Sequence, residues 1–164
     1  MSDDRFQIYL RRARAFATAA ERVIEFPPAR QRSLHAPTLH LIAHGYELLF
    51  KAILLKGGMD DKRLKKMGHN LSRIWVRSEL EELRTVAHRC AIECCDEARR
   101  SGKYDGGFPD VPAEEFEHQI RLLSDLHSKE SDFTLRYPNA MPTLIALPDP
   151  LLCILRKLID HANQ

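Results

Sequence analysis

At 164 residues, 29% of them charged and 44% apolar, the chain has the size and composition of one domain. A domain of that length buries roughly 70% of its unfolded surface and folds without metal or disulfide staples. Lysines and arginines number 25 against 23 aspartates and glutamates, which excludes both a disordered polyelectrolyte and a strongly basic nucleic-acid coat.

The first helix is announced by Phe6, Tyr9, Ala13, Phe16, Ala20 and Val23 at helical spacing, with Asp3 or Asp4 at the positive end of its dipole, and should run to about Glu25. Pro27 and Pro28 stop it. A basic connector, ARQRSLHA, leads to Pro37, which suits the first turn of a long second helix. That helix carries Leu39, Ile42, Ala43, Tyr46, Phe50, Ile53 and Leu54 on one face, and Gly57 and Gly58 end it. Its apolar run over residues 34–55 is interrupted by His35, His40, His44, Glu47 and Lys51, which would be costly in hydrocarbon; it reads as a core helix and not as a membrane span.

The loop MDDKRLKKM is charged and expected in water; after it Gly68 breaks the chain, and His69 or Asn70 can cap a short helix through Trp75. A fourth helix follows with Leu83, Ala87, Cys90 and Cys94 along its seam, then the glycine-bearing loop SGKYDGGFPD. Asp110 and Pro112 open the next helix, on which Phe116, Ile120, Leu123 and His127 repeat at helical spacing until SKESD ends it. FTLRYP and TLIAL alternate like a short extended segment or hairpin over residues 133–147. Asp149 and Pro150 start a last helix with apolar residues at 151, 154, 155, 158 and 159. The expectation is an all-α, single-domain antiparallel bundle of five to six helices spanning 1–164 with that one extended excursion.

Three groups of residues invite a chemical reading. On the second helix His40, His44, Glu47 and Lys51 fall at i, i+4, i+7 and i+11 and form one stripe. His40 and His44 could both reach one metal ion with Glu47 one turn on, yet Lys51 is placed for an intrahelical ion pair with Glu47 and no fixed third or fourth ligand can be named, so no metal and no cofactor is assigned. Cys90 and Cys94 share a face with Leu83 and Ala87 and read as small core residues, and a nucleophilic cysteine beside His88 has no local signature. The cysteines, Cys90, Cys94, Cys95 and Cys153, follow an N-terminus charged from its third residue, unlike a secretory signal, so a reducing cytoplasm is expected. On the last helix Arg156 and His161 are about 140° apart around the axis and border a polar face that carries Lys157 and Asp160. An arginine that grips phosphate and a histidine that moves a proton could act on a phosphodiester held between this helix and a second copy of it.

The ordered series HGYELLFKAILLKGG, GHNL, LRYP and a terminal Arg-x4-His resembles the HEPN domains of prokaryotes. The resemblance covers most of the chain. It implies a helical homodimer whose active members are metal-independent endoribonucleases of toxin–antitoxin or defence systems, working beside an antitoxin or nucleotidyltransferase partner. Carried onto this chain, it assigns Arg156 to phosphate binding and His161 to proton transfer during attack of an RNA 2′-hydroxyl on its own phosphate. Lys157 departs from the polar uncharged or acidic residue often found after that arginine. Inactive members bind nucleotides or serve as scaffolds, and the matching alternative here is a polar binding site of Glu47, Lys51, His69 and Arg136 for a nucleotide or a partner protein.

Overall fold

The computed structural model describes residues 2–25, 28–102, 104–128 and 146–164, with the backbone alone for residues 2, 3 and 28–33. These residues form seven α-helices and no strand: α1 (Ser2–Ile24), α2 (Pro28–Lys56), α3 (Asp61–Lys66), α4 (Leu71–Trp75), α5 (Glu81–Ser101), α6 (Pro112–His127) and α7 (Pro148–Ala162), with one 3-10 turn at Ser78–Leu80. The all-α bundle expected from periodicity is present. Most of the extended segment expected at residues 133–147 lies outside the described residues.

Two boundaries differ from the sequence reading, each for a local reason. The connector before Pro37 is itself helical, so α2 begins at Pro28 and carries Pro37 in its interior. Proline has no amide for the carbonyl four residues back. One residue on, the Thr38 hydroxyl donates to Leu34 O at 2.7 Å and adds a side-chain bond to the disturbed turn. The charged loop after Gly58 also contains a helix: Asp60 caps α3 by accepting from Arg63 N at 2.9 Å, and Leu64 is buried beneath it.

α1 and α2 pack along one another as a helical hairpin, α7 lies against α1, α2 and α5, and α6 closes the other side against α2, α4 and α5. The 23-residue stretch Leu34–Lys56 is long and apolar enough to cross a membrane by length and composition, but 67% of its apolar window is buried inside the bundle. Gly45 explains how α7 comes so close: a Cβ there would sit 2.7 Å from Leu155 Cδ2. Next to it, Tyr46 is fully buried and donates its hydroxyl to Leu151 O at 2.7 Å, which fixes the first turn of α7 on α2. Phe50 stacks on Trp75 with centroids 4.9 Å apart, and Trp75 meets Phe116 edge-on at 5.7 Å. These rings join α2, α4 and α6 into the frame on which the polar centre is built.

Candidate functional site

Glu47 stands in the middle of that frame with only 4% of its surface exposed. Its partners come from three parts of the chain. Lys51, one turn on in α2, donates to Oε1 at 2.6 Å. His69 Nδ1 lies 2.9 Å from Oε2, and His127 Nε2 lies 2.9 Å from the same oxygen. A carboxylate only accepts, so the ring nitrogens that face it are assigned as N–H donors.

Local structure explains the convergence. Gly68 adopts a positive φ of 65°, a left-handed conformation that suits glycine, and turns the chain sharply between α3 and α4. Asn70 then caps α4 by accepting from Arg73 N at 2.8 Å, leaving His69 to reach back to α2. Ser124 ties α6 to the same place: its Oγ accepts from Ser72 N at 3.0 Å and lies 3.3 Å from Asn70 Oδ1. His127, at the last residue of α6 and one turn beyond Ser124, is thereby set over Glu47.

The upper half of the stripe faces the same centre. His40 and His44 lie with ring centroids 5.7 Å and 5.6 Å from His127, and His69 lies 5.7 Å from it, so three imidazoles gather around the histidine that meets the Glu47 carboxylate. Burial alone would raise the Glu47 pKa. The His127 hydrogen bond, the adjacent Lys51 ammonium and the His69 hydrogen bond outweigh it and hold the carboxyl well below the usual carboxylate range. The site is therefore a buried fixed anion. Its most open member is His69, with 39% of its side chain exposed, against 12% for Lys51 and 0% for His127.

Of the residues expected to form a binding site, Glu47, Lys51 and His69 do meet, and Arg136 lies outside the described residues. His127 was not among them. Its spacing with Phe116, Ile120 and Leu123 reads as one more seam position, and the only sequence signal of a different role is a histidine closing an otherwise apolar seam.

α7 presents a different picture. Arg156 pairs with Glu21 of α1, Asp160 with Arg14 of α1 at 2.9 Å, and Lys157 with Glu93 and Glu97 of α5 at 3.3 and 2.9 Å. The charges bordering the terminal polar face thus tie α7 to its neighbours. His161 is half-buried near the end of the helix, and no hydrogen bond or ion pair among the described residues joins it to Arg156 or to the Glu47 centre.

Cys90 and His88 are not paired as a nucleophile and its base. Burial raises the Cys90 thiol pKa, and His88 Nε2 is engaged at 2.7 Å by Glu117, which also accepts from Trp75 Nε1 at 2.8 Å. Cys94, read from its spacing as a core thiol, is instead bonded to Cys153 and links α5 to α7.

No protein-family model matches the chain, and comparison with curated proteins and with solved structures returns no match.

Proposed function

We propose that this chain is a HEPN-like helical module whose working centre is the Glu47–Lys51–His69 cluster, and that the cluster recognises a nucleotide. The observation that carries this reading is the meeting of Lys51 and His69, from two separate segments, on the buried Glu47 carboxylate, with His69 at the open edge. A nucleotide offers hydroxyl and amino donors as well as phosphate acceptors. Glu47 supplies an acceptor, and Lys51 and His69 supply donors within about one hydrogen-bond length of it.

Thermal denaturation against a panel of nucleoside mono-, di- and triphosphates tests the proposal. Ligand at about 100 times its Kd stabilises the folded state by about 2.7 kcal/mol, and the shift should disappear in His69→Ala. Absence of a shift with every nucleotide removes the nucleotide version and leaves a protein partner as the alternative ligand.

A second reading is favoured by the 55% exposure of the Arg156 side chain, since its ion pair with Glu21 is at the surface and a phosphate could displace it. In that reading a homodimer of this chain cleaves RNA without metal, Arg156 holding phosphate and His161 moving the proton. End-labelled single-stranded RNA incubated in excess chelator should then be cut by the parent and left intact by folded Arg156→Ala and His161→Ala. Equal cleavage by the variants would end this reading.

A further inference from the structure

The inner end of the histidine cluster has a property that nucleotide recognition does not use. His44 and Glu47 from α2 and His127 from α6 each offer one donor atom, and the three atoms all lie within 4.8 Å of one another. Donors around an ion held at about 2.1 Å stand roughly 3–4 Å apart, so adjustments of about an ångström close the set. Glu47 and His127 are almost wholly buried. His127 faces Glu47 through Nε2, 2.9 Å from Oε2, so Nε2 is the ring nitrogen placed to meet an ion between the two residues.

We propose that His44, Glu47 and His127 bind one divalent transition-metal ion of the zinc class. Two imidazoles and one carboxylate are a donor set that suits such an ion and leaves a fourth position for water or another ligand. The surroundings support the first shell. Lys51 holds Glu47 through Oε1, which leaves Oε2 turned towards the histidines, the kind of outer contact that orients a ligating carboxylate. His69, the most exposed of the cluster, lies on the solvent side of the site. This proposal shares Glu47 with the nucleotide reading but stands without it.

Cobalt(II) titrated into the metal-stripped full-length chain is the test, because its absorption reports both stoichiometry and ligand type. Expected are one ion per chain, no thiolate charge-transfer band, and affinity lowered at least about tenfold in His44→Gln and in His127→Gln, the smallest loss that even an outer-shell change produces. His118→Gln, a histidine change in α6 outside the donor set, should bind as the parent does. No one-to-one binding by the parent overturns the proposal, as does a thiolate band, which would place the ion on cysteine. Undiminished affinity in both variants overturns it too. The parent spectrum decides the matter even if a variant fails to fold.

Discussion

Replacing Glu47 with glutamine keeps the shape of the side chain and removes the charge that three donors, Lys51, His69 and His127, converge on. In the variant the Lys51 ammonium, 12% exposed, and the His127 N–H, wholly buried, face an amide that can accept at one end only. Removing one partner of a buried ion pair costs about 3–5 kcal/mol. The lower end applies because Lys51 and His69 can turn towards water, so about 3 kcal/mol is expected at pH 7. In a domain of this size that lowers Tm by roughly 6–12 °C. The pH dependence sharpens the test. Glu47 has a folded-state pKa depressed below its ordinary 4.5, so its contribution is complete above that value and drains as pH falls through it towards the folded value. The gap between parent and variant should therefore close by about 1.4 kcal/mol for each pH unit below 4.5. Urea denaturation of both proteins at pH 7 and at pH 3.5 measures it. A gap below about 0.5 kcal/mol at pH 7, of the size expected at an ordinary surface position, or one that is the same at both pH values, would refute the electrostatic account of this centre.

The Cys94–Cys153 bond closes a loop with a sequence separation of 59 residues, and its loss should cost about 4 kcal/mol on the chain-entropy account, read as a lower Tm in reductant. Thiol titration of the unfolded, unreduced chain should find two reactive cysteines, Cys90 and Cys95; four would contradict the pairing. Arg156→Ala removes an exposed ion pair and should change stability by no more than about 1 kcal/mol, a clean background for the RNA assay. Phe50→Ala should cost about 3–5 kcal/mol and shift the emission of the single tryptophan, Trp75, which it stacks against; unchanged emission would contradict that packing.

Much of this architecture could be read from the residues, because the long helices are governed by apolar spacing and by their caps. The polar stripe of α2 was legible for the same reason: His40, His44, Glu47 and Lys51 sit on one helix, where spacing determines facing. The Glu47–Lys51 pair follows directly from it. What spacing does not convey is which distant segment the stripe meets. His127 is 80 residues from Glu47 and periodic with its own core seam, so only tertiary packing distinguishes it from an apolar neighbour. The helical turn at Asp61–Lys66 was hidden by its composition, since three of its residues carry positive charge in the last turn and its burial rests on Leu64 alone. Pro37 misled in the opposite direction: it suits a first turn, but the turns before it are held in α2.

The measurement closest to the central claim is nucleotide-dependent thermal stabilisation of the parent beside His69→Ala and Lys51→Met. If Glu47, Lys51 and His69 are the working centre, at least one nucleotide raises the parent's Tm and both variants lose the shift while remaining folded. A shift retained in full by both variants would place nucleotide binding elsewhere and contradict the account.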